Sequence, residues 1–219
     1  MLFLKRSHTF ILFLIIVLSS FHIEAQRNNL NFFAGIMVVQ GEASGGALLS
    51  DDMAIGAGLG FNAPLYKNKI EFVSKLEYYC LRLDYIEQSN PQNIGIMEGT
   101  CTQTSVGIGL NIFLNKSTDL VSLYQPFRRY ISVLAGLLVQ NNSLNFSDNF
   151  NFPNLQGTFI LPFGELGAGL KVRVNPTWSV NFNAAIRTTL SDEVDGLIGA
   201  TDSPDIMGLI RFGISYNLK

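Results

Sequence analysis

The last fourteen residues of the chain, Ile206 to Lys219, read IMGLIRFGISYNLK. Every even position holds an apolar side chain, an aromatic one or glycine, whereas the odd positions include Arg211, Ser215, Asn217 and Lys219. Alternation with a period of two is the pattern of a β-strand. A soluble sheet would bury its apolar face in a core, but a strand of a transmembrane barrel turns that face to lipid. The stretch therefore predicts a membrane β-strand.

The same stretch carries a second pattern at its end. Arg211, Gly213, Tyr216 and Leu218 form a polar-x-glycine-x-x-aromatic-x-hydrophobic ending. This ending resembles the C-terminal signal that outer-membrane barrels present to the barrel-assembly machinery. The resemblance implies insertion into outer-membrane lipid, with that machinery as a partner.

The other end of the 219-residue chain looks like a leader. Lys5 and Arg6 precede an apolar run of nine residues, Phe10 to Leu18, which is followed by Ile23-Glu24-Ala25. This order predicts a cleaved signal peptide at residues 1–25, and hence export. An anchoring helix is the alternative, but crossing a bilayer takes about 20 apolar residues.

Cleavage would leave residues 26–219, which fit one domain. His8 and His22, the only histidines, would leave with the leader. The remaining chain has 13 Lys and Arg against 16 Asp and Glu, because two cations and one carboxylate lie in the leader. This balance offers no basic surface for nucleic acid. No later apolar run approaches 18 residues, so a membrane-spanning form must use strands.

Eight alternating segments follow the leader, separated by turn or loop residues. An even number of strands is typical of bacterial single-chain barrels, and eight is the smallest such number. We therefore predict an all-β fold, an eight-stranded antiparallel transmembrane up-and-down β-barrel in the outer membrane. The segments are residues 30–40, 54–63, 70–84, 100–114, 129–140, 158–174, 178–190 and 206–219.

The connections predict two different ends of the barrel. Long loops are expected at residues 41–53, 85–99, 141–157 and 191–205, alternating with short turns after the second and sixth segments. The connection at residues 115–128 is longer than this alternation predicts. The four long loops hold eleven carboxylates and no Lys or Arg, whereas cations such as Lys67 and Lys116 lie in the opposite turns. The two ends therefore face different surroundings.

Charged residues on the inward face of the predicted strands are expected to pair. Eight tilted strands enclose a space that side chains can fill, and an unpaired ion there is costly. We predict a structural polar network in the lumen, centred on Glu77 and Glu165 with Arg187 and Arg211. A plug of salt bridges is favoured over a gate or narrow ion path. The inward charges are Lys75, Glu77, Glu165, Lys171, Arg173, Arg187 and Arg211.

Catalysis and metal binding are poorly supported. Hydrolytic sites commonly use histidine, and zinc or copper needs clusters of imidazole or thiolate. We predict no enzyme, no catalytic residue, no cofactor and no metal site. The acidic loop at residues 191–205 has oxygen ligands that could hold calcium, but its spacing matches no EF-hand, so a solvated loop is the default.

Cys80 and Cys101 flank the second predicted long loop, and an exported protein can oxidise them. Regular alternation would place the two side chains on opposite faces, so a disulfide would need a bulge or an interruption of the pairing. A disulfide and two free thiols both stay open.

Aromatic residues cluster near the two ends of the segments, as interfacial girdles would. Ordinary strand composition is the alternative, because aromatics favour strands. The set near the short turns is Tyr66, Phe113, Phe127, Tyr130, Trp178 and Tyr216; the set near the long loops is Tyr78, Tyr85, Phe152 and Phe159.

A longer segment, FILPFGELGAGLKVRVNPTWSVNFNAAIRTTLSDEVDG at residues 159–196, contains Pro-Phe-Gly, Gly-x-Gly-x-Lys, Trp178 and Arg187 followed by Thr-Thr-x-x-Asp-x-x-Asp-Gly. It resembles the C-terminal half of the outer-membrane β-barrel domain proteins common in Bacteroidota, OmpA-like and OmpW-like barrels that include one associated with type IX secretion. The resemblance implies a Gram-negative outer-membrane barrel, and a protein partner in a secretion or surface complex.

Three functions stay open. The first is a structural or interaction barrel, accessory to a secretion or surface assembly. The second is a narrow, porin-like channel or a carrier of small apolar ligands, lined by Phe33, Met37, Leu134 and Leu138. The third is a secreted soluble barrel that binds a ligand, as lipocalins do.

Overall fold

The computed structural model describes residues 28–40, 53–66, 69–90, 93–114, 127–146, 156–189 and 206–218. The leader predicted at residues 1–25 and the acidic loop at residues 191–205 lie outside these ranges. No helix long and apolar enough to cross a membrane occurs in the described residues. The strands are β1 (Asn29–Gln40), β2 (Met53–Tyr66), β3 (Ile70–Asn90), β4 (Asn93–Phe113), β5 (Phe127–Phe146), β6 (Gly157–Arg173), β7 (Trp178–Thr189) and β8 (Ile206–Asn217).

Each strand pairs antiparallel with its neighbours in the chain, and β1 closes the sheet by pairing with β8. Phe32 of β1, for example, lies opposite Leu59 of β2 on one side and Ile214 of β8 on the other. The predicted fold, a closed eight-stranded antiparallel up-and-down barrel, is confirmed.

Side chains alternate between the outer wall and the lumen, as the pleat of a strand requires. In β8, Ile210, Phe212 and Ile214 are exposed on the outside, whereas Leu209 and Arg211 are buried inside. The same alternation of exposed and buried residues runs through β2, β6 and β7. The packed interior is therefore the lumen itself, and the outer wall is largely apolar.

The two ends of the barrel differ in their packing. We call the end where residues 41–52, 91–92, 147–155 and 190–205 join the strands the loop end, and the opposite end the turn end. A hydrophobic core fills the lumen on the loop side. Its most buried large members are Met37, Tyr79, Leu81, Leu138, Met207 and Leu209.

Three strands extend further than their alternating patterns predicted. The predicted loop at residues 85–99 is mostly strand, because Asp84 pairs with Glu98 and Glu87 pairs with Gly95. β5 likewise continues past Gln140, so that Phe146 pairs with Met97. Backbone pairing needs no apolar face, so a polar ribbon can continue a strand beyond the end of the alternation. The loop prediction was therefore wrong for β3, β4 and β5.

The turn between β6 and β7, which contains Asn175 and Pro176, is tight. Asn175 Oδ1 accepts hydrogen bonds from the backbone N–H groups of Thr177 (2.8 Å) and Trp178 (2.7 Å). An asparagine side chain that bonds to backbone groups two residues on is the usual chemistry of such turns.

Candidate functional site

Five charged side chains meet at mid-height in the lumen, and we call them the central cluster: Lys75, Glu77, Glu165, Arg187 and Arg211. They come from β3, β6, β7 and β8. The two glutamates and two arginines are each no more than 3% exposed. The structure therefore brings together the four residues on which the predicted network was centred.

Arg187 binds both carboxylates of the cluster. Its Nη2 lies 2.7 Å from Glu165 Oε2, and its Nε donates to the same oxygen at 3.1 Å. Nη2 also pairs with Glu77 Oε2. Nη1 donates to Ser105 Oγ at 3.1 Å, and that hydroxyl donates to Glu77 Oε2 at 3.2 Å. Charge-assisted bonds of this kind are about twice as strong as neutral ones.

Arg211 forms the second bridge between the same carboxylates. Nη1 and Nη2 donate to the two oxygens of Glu165 at 2.9 and 2.7 Å, a bidentate pair. Its Nε lies 2.6 Å from Glu77 Oε1 and forms an ion pair with it. The two atoms are not aligned as a hydrogen bond. Nη2 donates to Glu77 Oε2 at 3.1 Å instead. Two carboxylates thus hold two guanidinium groups in a fixed arrangement.

Aromatic packing closes the lumen around this cluster. The guanidinium carbon of Arg187 lies 4.2 Å from the centre of the Phe163 ring. That ring lies across glycines of β4 and β5, because a Cβ at Gly107 or Gly136 would come within 3.1 or 2.8 Å of it. The inward glycines thus make room for the Phe163 ring to lie across the wall.

Lys75 is attached to the cluster more loosely. Its Nζ lies 3.5 Å from Glu165 Oε1, longer than the 2.7–2.9 Å typical of a charge-assisted bond. With Lys75, the central cluster has three cations and two carboxylates. Its formal charge is therefore +1.

A second group of charges, the turn-side cluster, lies nearer the turn end and consists of Glu71, Arg128 and Lys171. Glu71 Oε1 lies 3.5 Å from Arg128 Nη1 and 3.6 Å from Lys171 Nζ. We predicted Lys171 in the lumen network, but missed Glu71 and Arg128. The register was the signal that could have found them: Arg128 lies directly opposite Lys171, and two like charges at that distance need an acid between them.

Arg173 was predicted in the lumen network, and the structure places it at the turn end of β6. The residue ends β6 at the turn, and its Nε donates to the backbone oxygen of Asn175 at 3.3 Å. The alternation between lumen and outer wall ends with the strand. A side chain at its last residue therefore lies beside the turn and not in the middle of the lumen.

The cysteines lie on opposite faces of the wall. Cys80 is exposed outside and Cys101 is buried inside, and both are free thiols. The β3–β4 register is unbroken here, with Cys80 opposite Thr102 and Leu81 opposite Cys101. A disulfide would have needed an interruption of the pairing at these residues, and the pairing there is regular. Of the two alternatives, the structure therefore has two free thiols.

Only part of the predicted girdle at the turn end faces outward. Tyr66, Phe127 and Trp178 are exposed, but Phe113 and Tyr130 are 6% and 8% exposed and turn into the lumen. These two residues have the inward parity of their strands. At the other end, Phe159 packs partly against the hydrophobic core, so it does not belong to a girdle.

The four residues of the predicted assembly signal have separate structural surroundings. Arg211 belongs to the central cluster, and Gly213 lies against Phe33, whose Cβ would be 2.9 Å from an added Cβ. Tyr216 packs edge-on against Trp178 with ring centres 4.9 Å apart, and Leu218 N donates to Asn28 O at 2.7 Å.

Among the described residues, no three His, Cys, Asp or Glu side chains are grouped so that they could hold a metal ion. The described ranges also contain no histidine. The charged groups of the two clusters can bind ions of opposite charge. Their salt bridges also hold the strands at fixed distances from one another.

Comparisons with known proteins agree on the fold. No family model and no curated protein matches the sequence. Among solved structures, Neisserial surface protein A is similar with a TM-score of 0.55 at 11% identity, covering 87% of this chain and 97% of that one. Ail, the attachment invasion locus protein of Yersinia pestis, solved with the heparin analogue sucrose octasulfate, is similar with a TM-score of 0.50 at 15% identity, covering 89% of this chain and 100% of Ail. At these identities the similarity concerns the fold alone.

Proposed function

We propose that this chain is an integral outer-membrane β-barrel protein with a closed lumen, and that it has a structural or interaction role. The observation that carries the proposal is the apolar outer wall. Ile55, Ile160 and Phe212 are 76%, 66% and 60% exposed on it. Soluble monomers rarely expose a contiguous apolar patch larger than a few hundred Å². An apolar wall of this kind is suited to lipid. It does not suit a secreted soluble carrier, whose outer surface would face water.

The aromatic residues at the turn end support the same location. Trp178 and Tyr216 pack together on the outside of β7 and β8, and Tyr66 and Phe127 are exposed at the ends of β2 and β5. Tryptophan and tyrosine favour the boundary between membrane and water, because their rings combine an apolar body with a polar group.

Two packed layers argue against a channel. The hydrophobic core fills the loop side of the lumen, and the central cluster fills its middle. Three of the apolar residues that would line a ligand path, Met37, Leu134 and Leu138, are at most 4% exposed. An ion or ligand would have to displace both layers to pass.

The ribbon formed by β3 and β4 favours an interaction role. Each strand has 21 residues, about twice the 9–11 that a tilted transmembrane strand requires. Their far halves therefore extend beyond the barrel wall at the loop end, where partners can reach them. An accessory role in a secretion or surface assembly is the form of this proposal that the sequence resemblance suggests.

The location is tested by fractionating cells that express the chain at its native level. We expect it in the outer membrane, resistant to carbonate extraction and shifting in gel mobility on heating. Recovery as a soluble monomer without detergent would contradict the proposal.

The interaction role is tested by shortening the ribbon. Replacing residues 87–95 with Asn-Gly leaves Ile86 and Ile96, which already pair, joined by a two-residue turn. We expect the variant to insert and shift on heating like the unaltered protein, but to lose partners that co-purify with it from native membranes after crosslinking. Unchanged partners would rule out the ribbon as the contact.

A further inference from the structure

The lumen contains a small cavity between the central cluster and the turn end, with a volume of about 50 Å³. A cavity of about 10–15 Å³ is large enough for one water molecule. The cavity therefore has room for a few waters or for one small ion.

The residues around this cavity favour an anion. Lys75, Lys171 and Arg211 border it, together with five asparagines, and no carboxylate among the described residues does. Ammonium, guanidinium and amide groups all supply N–H donors. A cation would meet only positive charge and neutral dipoles here.

Both lysines have unused capacity to donate. Lys75 Nζ and Lys171 Nζ each reach one carboxylate oxygen, at 3.5 and 3.6 Å. An ammonium group has three N–H donors and forms its strong bonds at 2.7–2.9 Å. Both side chains border the cavity and are largely buried, at 14% and 9% exposed, so the cavity lies within reach of their remaining donors.

Asn111 adds a neutral donor to the cavity wall. Its side chain is 6% exposed and borders the cavity. Its amide group has two N–H donors. A ligand in the cavity that accepts hydrogen bonds can therefore be bound by an amide as well as by the two ammonium groups.

We propose that the cavity binds one monovalent inorganic anion of halide size, held by Lys75, Lys171 and Asn111. The anion compensates the extra positive charge of the central cluster, which two carboxylates leave at +1. Water alone would satisfy the donors but would leave that charge in place. The site is a property of the folded barrel and can be tested in detergent. The result therefore does not depend on the proposed cellular role.

The direct test is crystallography of protein refolded in sodium bromide. We expect one anomalous peak in the cavity, within contact distance of both lysine Nζ atoms. Density without anomalous signal would identify water and overturn the proposal.

A solution test compares the thermal unfolding midpoint in chloride and in gluconate at equal ionic strength, so that screening is the same. We expect a higher midpoint in chloride, and equal midpoints would contradict the site. Lys75→Met leaves two cations and two carboxylates in the central cluster, so the chloride effect should be lost. Lys69→Met, the same change at an exposed turn residue, should keep it; loss in both variants, or in neither, would also overturn the proposal.

Discussion

Glu165 of β6 and Arg187 of β7 lie directly opposite each other in the sheet, and Glu165 Oε2 is 2.7 Å from Arg187 Nη2 in the lumen. The same oxygen is 2.7 Å from Arg211 Nη2 of β8. One buried carboxylate therefore joins three consecutive strands through side chains as well as through the backbone.

Removing the charge of this carboxylate should be costly. Glu165→Gln leaves Lys75, Arg187 and Arg211 with one carboxylate, and breaking a buried pair in this way typically costs about 3–5 kcal/mol. We expect a loss of that size in the free energy of unfolding, measured by urea titration in lipid vesicles with gel mobility as the readout. Glu98→Gln, at an exposed position of β4, should change it by less than about 0.5 kcal/mol. Equal effects would contradict the role of the central cluster.

The close packing of Tyr130 against β6 gives a second prediction. A Cβ at Gly169 would contact the Tyr130 ring and lie 2.7 Å from the backbone oxygen of Phe182. Gly169→Ala should therefore lower the free energy of unfolding by about 1–3 kcal/mol. Gly164→Ala, in the same strand, should be nearly neutral, because nothing lies within 4 Å of the added Cβ. A neutral Gly169→Ala in the same urea titration would mean that the ring does not lie across the wall.

The outer wall should be sensitive to depth in the membrane. Ile206 and Ile210 of β8 are both 44% exposed, but Ile210 lies near the middle of the strand and Ile206 at its end. Ile210→Lys should cost about 2–4 kcal/mol and Ile206→Lys about 0–1 kcal/mol. Folding in vesicles measures both. A small and equal cost would indicate water rather than lipid around the wall.

The two thiols should differ in reactivity. Denatured, unreduced protein should contain two free thiols by Ellman titration, since both cysteines are free thiols in the structure. In folded protein in detergent, Cys80 should react with a small maleimide and Cys101 should not, because Cys101 is 0% exposed. The Cys80→Ser and Cys101→Ser variants assign the labelled site by mass. A count near zero in freshly purified protein that is denatured without reduction would restore the disulfide.

The fold followed from the sequence because alternation is a property of each segment alone. The parity of Ile210, Phe212 and Ile214 decides which face of β8 is apolar, and that face is the exposed one in the barrel. The central cluster followed from the same parity, since few charges share the inward face and a closed lumen leaves them no other partners.

The features that the sequence did not predict depend on pairing between strands. The ion pair between Glu71 and Arg128 depends on how three strands are aligned with one another. The sequence of a single strand does not contain this alignment. The extension of β3 and β4 to residues 90 and 93 depends on backbone hydrogen bonds, which polar residues make as well as apolar ones. The cavity between the clusters depends on side-chain volumes from several strands at once.

The central claim is that lipid surrounds the apolar wall while packed side chains close the lumen. Conductance of the refolded protein in a planar bilayer tests it most directly, with an established porin as the positive control for insertion. The claim predicts insertion, shown by protection of the strands from protease, without sustained current across the membrane. Stable current steps on the nanosiemens scale from the inserted protein would contradict it.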